Sequence, residues 1–306
     1  MPSRLALLGA PTSAGAFAPG QERAPRELRR AGLVGRLRDA GVKVDDLGDS
    51  EVWRWCPDAA SRSAQNLRAV CDIVRDTARR VERALAARGG PLLVLGGDCT
   101  IEIGTVAGHL ARDERAGLVY FDLHPDLNTP ESVRPGALDW MGVAHMLGEP
   151  GATPELSQVG SRRPLLRDDE VLFFAYGPDQ ATEFERGVLE RRGLERVPVG
   201  EVAGDPEGAA ERVLSGFGSR FDRLLVHFDV DVIDFTDAPL SENTGRNEGL
   251  ALDVAFRALA VLAASERLSA LTVTELNPQH GDEEGGTLER FVDSLVACLR
   301  AVPAPR

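Results

Sequence analysis

The stretch "PLLVLGGDCTIEIG" (residues 91–104) decides the fold. Its apolar run at 92–96 has the length and aliphatic content of a buried strand, the pair Gly96–Gly97 with Asp98 ends it, and a helical pattern begins near Ile101. A strand that turns directly into a helix is the unit from which α/β sheets are built. Similar units lie on either side. Upstream, "RLALLG" (4–9) and "VKVDDL" (42–47) read as strands; downstream, so do "GLVYFD" (117–122), "EVLFFA" (170–175), "RVPV" (196–199), "LLVHFD" (224–229) and "ALTVTE" (270–275). Helix-like stretches at 64–88, 101–112, 206–216, 251–265 and 286–301 fall between most of them. The pattern predicts an α/β three-layer sandwich: a mostly parallel eight-stranded sheet with helices on both faces. No repeat, low-complexity tract or long linker divides the chain, so a single domain over 1–306 is expected. The irregular patches 10–24, 126–138 and 234–249 fall near the C-terminal ends of strands, where open α/β sheets hold their ligands.

Composition narrows the function. The 306 residues are 43% apolar and 27% charged, a balance that supports a sizeable core. Against 48 acidic residues there are 35 Lys and Arg, giving a formal net charge of −13 and a pI near 5.0. With no basic run to offset it, this charge argues against nucleic acid and anionic membranes as partners. The start "MPSRLALLGAPTSAG" carries only a short apolar run, so no secretory signal is expected. The most apolar helical stretch, "LALDVAFRALAVLAA" (250–264), is interrupted by Asp253 and Arg257 and is too short to span a bilayer. Four cysteines at 56, 71, 99 and 298 are far apart without a C-x-x-C, which excludes a disulfide framework or zinc knuckle and points to the cytoplasm.

Chemistry gathers where strands end. In "FDLHPDLNTP" (121–130), Asp122, His124 and Asp126 are spaced two apart, and along an extended chain such residues share one face. "HFDVDVIDF" (227–235) repeats the spacing with Asp229 and Asp231. A single D-x-D is most simply a solvated strand end. Two such sets, one with an imidazole, would repel each other in a dry pocket unless cations sat among them. Carboxylate oxygens with one imidazole suit Mn²⁺ or a similar divalent ion. A site for more than one metal is the expectation.

The motifs "GGDC" (96–99), "DLHPD" (122–126), "DVDVID" (229–234) and "ELNP" (275–278), with the Gly-rich opening "GAFAPGQERAPRELRRAGL" (15–33), stand in the order and near the spacing found in ureohydrolases. The chain resembles that family (arginase, agmatinase, formimidoylglutamase) over roughly residues 5–300. The resemblance implies an arginase-like fold, two divalent metal ions, usually Mn²⁺, and a trimer or hexamer of identical chains. It implies that Asp122 and Asp229 bridge the metals, that His124 and Asp231 complete one ion, and that Asp126 and residue 99 complete the other. The family has histidine at that last position; here it is Cys99, which is either a thiolate ligand or a small buried hydrophobe. By the same resemblance a metal-bridging hydroxide attacks the carbon of a guanidino, N-hydroxyguanidino or formimidoyl substrate. Asp126 takes up its proton and Glu275 pairs with the cationic N–H groups.

Departures from the family bear on the substrate. Asn128, Thr129 and Pro130 reproduce the Asn-Thr-Pro with which arginases approach an α-carboxylate, but a serine expected soon after is replaced by Pro135. The proton-shuttling histidine aligns with Asp139, which is thereby a catalytic and substrate-contacting candidate, and "GPDQ" (177–180) stands in place of Arg-Asp-x-Asp. His280, just past "ELNP", is a further candidate for substrate contact, whereas His227 reads as a supporting donor or as core. Two functions are open: an amidinohydrolase acting on a small guanidino or amidine compound, and a relative that has lost catalysis and serves as a metal-binding or metal-free scaffold.

Overall fold

The computed structural model describes residues 3–87, 90–112, 115–134 and 136–302. All eight expected strands form: β1 (Arg4–Gly9), β2 (Lys43–Asp49), β3 (Leu92–Leu95), β4 (Ala116–Phe121), β5 (Val171–Tyr176), β6 (Glu195–Pro198), β7 (Arg223–Asp229) and β8 (Leu268–Thr274). They make one sheet in the order β2-β1-β3-β8-β7-β4-β5-β6, and every pairing is parallel. A parallel sheet needs cover on both faces, and the strands alternate accordingly. Leu93 and Leu95 enter one apolar core while Leu92 and Val94 enter the other. Helices Leu67–Ala86 and Ile101–Leu110 contribute to the second core, and Leu252–Ala263 and Gly286–Leu299 to the first.

The strand order positions the chemistry. β3, β8, β7 and β4 are consecutive neighbours at the centre of the sheet. Each is followed by one of the four motifs: Cys99 after β3, Glu275 after β8, Asp229–Asp231 at the end of β7, and Asp122–Asp126 after β4. Segments distant in sequence therefore converge on one edge. The turn after β3 is tight: a Cβ on Gly97 would lie 1.6 Å from the carbonyl oxygen of Thr12, so only glycine lets the first loop approach. Asp98 then anchors that loop, accepting from the backbone N–H of Gly15 at 3.0 Å and of Thr100 at 3.1 Å.

One buried titratable side chain away from these motifs gives the fold a pH signature. His145, in the short helix Gly142–Leu147, is fully enclosed; its Nδ1 lies 2.6 Å from the carbonyl oxygen of Met141, and Nε2 has no hydrogen-bond partner among the described residues. Burial pulls its pKa down to about 4. An unfolded histidine titrates near ~6.5, so in the interval the unfolded chain binds the extra proton. The stability this group contributes is present above pH ~6.5 and lost as pH falls towards 4, on the order of 3 kcal/mol in all. His145→Leu should flatten the decline in denaturation free energy over that window. An unchanged pH dependence in the variant would count against the assignment.

Candidate metal centre

The two acidic motifs converge by turns, not by strand alternation. β4 ends at Phe121, before the first aspartate, and β7 ends on Asp229 itself, with 230–232 in a 3₁₀ turn. In both places the first aspartate folds back on the chain: Asp122 Oδ1 accepts from the N–H of His124 at 2.8 Å, and Asp229 Oδ1 from that of Asp231 at 2.7 Å. The expectation of one extended face at 122–126 is thus corrected. An Asx turn brings His124 round, and Asp126 points inwards because its backbone is left-handed, φ 49°. Glu275 shares that sparsely populated conformation, φ 58°, so two of the three candidate catalytic carboxylates sit on backbone that the surrounding packing must hold.

These side chains line a cavity of about 210 Å³ at the sheet edge. Two donor clusters meet there. In one, single ligand atoms of Asp122, His124 and Asp231 lie within 4.8 Å of one another; in the other, atoms of Cys99, Asp122, His227 and Asp229 do. Asp122 belongs to both. His124 Nδ1 is 3.2 Å from Asp231 Oδ2 and 3.4 Å from Asp122 Oδ1. Cys99 Sγ is 2.9 Å from Asp229 Oδ2. Asp126 lines the cavity but falls in neither cluster, since its Oδ2 accepts from the Tyr120 hydroxyl.

Electrostatics favour cations at this spot. Burial, reinforced by Asp231, pushes the Asp122 carboxyl up to about 6. Burial with Asp122 beside it holds Asp126 well above the carboxylate range, and burial with Asp231 does the same to Asp229. The Cys99 thiol is raised by burial and by Asp229. His124 goes the other way: burial opposes its charge, but Asp231 and Asp122 prevail and raise its pKa. Buried Asp122 Oδ2 and Asp231 Oδ1 have no hydrogen-bond partner among the described residues. Buried carboxylate oxygens without donors among the described residues are what divalent cations satisfy, so the residues fit a metal pair.

Around this centre the other candidates divide. Glu275 is pinned, accepting from the Cys99 N–H at 2.8 Å and from Gln21 Nε2 at 3.0 Å. Asn128 lines the cavity, with its Oδ1 facing the hydroxyls of Ser132 at 3.0 Å and Thr182 at 3.1 Å. Asp139 also lines it, buried, and raised well above the carboxylate range by burial and by Glu275. His280 does not reach the cavity. Its Nδ1 lies 2.7 Å from the carbonyl oxygen of Ser241 and its ring meets Phe235 edge-on at 6.0 Å, so it braces a loop. Pro135 lies outside the described residues. Sequence reasoning missed Gln21, Glu185 and Asn243. Glu185 accepts from the Leu127 N–H at 3.1 Å, and Asn243 donates to Asp231 Oδ2 at 3.1 Å. The capping box Thr182–Glu185 was a readable signal for the second; Gln21 opens a short 3₁₀ turn and Asn243 lies in a loop, and neither carried one.

A model of the arginase family matches residues 3–299. The chain belongs to the arginase family. It is similar to an arginase of Bacillus caldovelox, 29% identical over 279 residues that cover 90% of this chain and 91% of that protein. It is likewise similar to arginase-1 of Homo sapiens, 28% identical over 303 residues, 96% and 92% of the two chains. The crystal structure of Bacillus subtilis arginase matches with a TM-score of 0.84 at 25% identity, covering 97% of this chain and 98% of that one. Proclavaminate amidino hydrolase of Streptomyces clavuligerus shares the fold, with a TM-score of 0.70 at 18% identity over 98% and 91% of the chains. The protein is thus an arginase-family ureohydrolase carrying a cluster suited to the metal pair on which that family depends. No helix among the described residues is long and apolar enough to cross a membrane.

Proposed function

We propose that the protein hydrolyses the C–N bond of a guanidino substrate less basic than arginine, an N-hydroxyguanidine in particular. The observation that carries this reading is Cys99, whose sulfur stands among the donors where the family has a neutral imidazole. Metals held here, Mn²⁺ at least in the oxygen-rich cluster, supply a Lewis acid and a water acidic enough to be deprotonated near neutral pH. A thiolate donor adds negative charge to the centre and weakens both effects. The weakened centre favours a substrate that is easier to attack than a fully protonated guanidinium, and an N-oxygen lowers that basicity.

The chain's own groups divide the remaining work. Each oxygen of Glu275 already accepts one protein hydrogen bond, which fixes the carboxylate so that its other lone pairs take the substrate's N–H groups. Asp126, steadied by Tyr120, accepts the proton released as water adds to the amidine carbon. Asp139, which burial beside Glu275 keeps disposed to hold a proton, gives it to the departing amine. With its oxygen occupied, Asn128 offers its amide N–H groups to the far end of the substrate. Phe17 and Trp140, tilted together at 5.7 Å, form an apolar wall. No Lys or Arg lines the cavity among the described residues, so nothing there balances the two carboxylates of a formimidoylglutamate, and a guanidino compound is preferred over a formimidoyl one.

Steady-state kinetics on arginine, agmatine, N-hydroxyarginine and formimidoylglutamate test this. The N-hydroxyguanidine is expected to exceed arginine in kcat/KM by at least ~10-fold, about 1.4 kcal/mol in the barrier. Arginine or agmatine ahead in that comparison would overturn the substrate assignment. Metal-loaded protein inert to all four would favour the scaffold.

A further inference from the structure

Beneath Cys99 lies a second buried imidazole that the family's ligand pattern does not use. His227 Nε2 is 3.4 Å from Cys99 Sγ, and its ring lies flat on Tyr120, centroids 4.2 Å apart and planes 2° from parallel. On the ring's other side, Nδ1 is 3.5 Å from Glu102 Oε2. Cys99, His227 and Glu102 are all enclosed, at 3%, 0% and 1% exposure. Among the described residues neither Glu102 oxygen has a hydrogen-bond partner, and neither does His227 Nδ1. A buried carboxylate without a donor is costly, and an Nδ1–H on His227, 3.5 Å from Oε2, is a donor placed to meet it. That proton placement fixes the tautomer. With Nδ1 protonated towards Glu102, Nε2 presents a lone pair towards Cys99, Asp122 and Asp229, with the Thr274 hydroxyl beside it at 3.2 Å, the arrangement in which a carboxylate behind a histidine orients it for a metal. The opposite tautomer would set an Nδ1 lone pair against the carboxylate.

We propose that the inner metal of the pair is held by Cys99 and His227 together with Asp122 and Asp229, and that Glu102 positions His227 for it. This rests on the reading of the cavity as a metal centre. The imidazole missing from position 99 is supplied instead by β7, two strands along the sheet from β3, two residues before Asp229. The two sites then differ in chemistry. The outer donors, Asp122, His124 and Asp231, are mostly hard oxygens and suit Mn²⁺. The inner set pairs sulfur and nitrogen with two carboxylates and suits Zn²⁺ or Co²⁺. A metal-free use of Cys99 as nucleophile with His227 as base is disfavoured, because burial first, and then Asp229, Glu275, Asp126 and Asp122, oppose a bare thiolate.

The test loads the full-length protein with Co²⁺ and Mn²⁺ together and follows metal content by elemental analysis and the thiolate-to-cobalt charge-transfer absorption. Wild type is expected to retain one Co²⁺ with that absorption and one Mn²⁺. His227→Ala and His227→Gln should each weaken Co²⁺ binding at least ~100-fold while the outer ion stays, and Glu102→Gln should weaken it ~10–100-fold. Circular dichroism checks folding, and the isosteric Glu102→Gln carries the test if the His227 variants do not fold. Wild-type cobalt affinity and absorption in the folded variants would overturn the proposal while leaving the metal centre and Cys99 ligation intact. A wild type that binds no metal would remove both readings. Metal-free turnover abolished by alkylation of Cys99 would replace the proposal with the nucleophile.

Discussion

Asp122→Ala is expected to bind neither ion of the pair and to lose at least about a thousandfold in kcat/KM. Asp122 is the one residue common to both donor clusters. Its Oδ1 is partly engaged by the His124 N–H, whereas its buried Oδ2 has no partner among the described residues and is the atom most in want of a cation. Removing it also takes away the acceptor that bends residues 122–124 into the turn, so His124 loses its orientation as well. Asp229 holds the Asp231 turn in the same way, but only the inner cluster contains it, so it orients a ligand of the outer ion without binding that ion itself. Asp229→Ala should therefore keep the outer ion, although family resemblance makes Asp229 a bridge equal to Asp122. Elemental analysis after desalting distinguishes these outcomes. Two ions retained in Asp122→Ala would refute the shared-ligand assignment, and both lost in Asp229→Ala would restore the symmetric bridge.

Much of this centre was legible in the residues alone, and the limits of legibility are physical. β3, β4, β7 and β8 could be read because a strand buried on both faces must be apolar throughout, and the polar residue that ends it stands out. "FDLHPD" and "HFDVD" reveal their carboxylates for that reason. Their geometry was not legible: spacing of two suggests one extended face, whereas the observed Asx turns depend on which backbone N–H each carboxylate captures. His227 illustrates a deeper limit. Inside an apolar strand an imidazole reads as core, and its significance appears only once β7 lies beside β4 and the helix Ile101–Leu110 brings Glu102 over it. Gln21 was invisible for the same reason, being 254 residues from the glutamate it holds. His280 shows the converse error. Closeness in sequence to Glu275 suggested closeness to the cavity, but the chain turns away, and the ring braces the Ser241 loop.

Glu275→Gln should leave metal content unchanged and lower kcat/KM for a guanidino substrate by ~10²–10³-fold, about 3–4 kcal/mol. The side chain stands just after β8, between β3 and β7, which lead to Cys99 and Asp229, yet it belongs to neither cluster. Burial, with Asp98 and other carboxylates near it, raises its pKa well above the usual range, so this carboxyl gains by meeting a cation. A guanidinium or amidine supplies that charge, and the hydrogen bonds from Cys99 and Gln21 fix the plane in which it is met. Glutamine keeps the size and one acceptor oxygen but removes the charge and sets an amide where two acceptors were needed. The loss should fall on kcat as well as KM, because the same contact holds the amidine carbon in line for attack. Gln21→Ala leaves the charge and frees only its direction, so a smaller loss of about tenfold is expected from it. If Glu275→Gln and Gln21→Ala proved equally mild, Glu275 would be a structural brace for the turn after β3, and the substrate's positive end would have to be met elsewhere in the cavity.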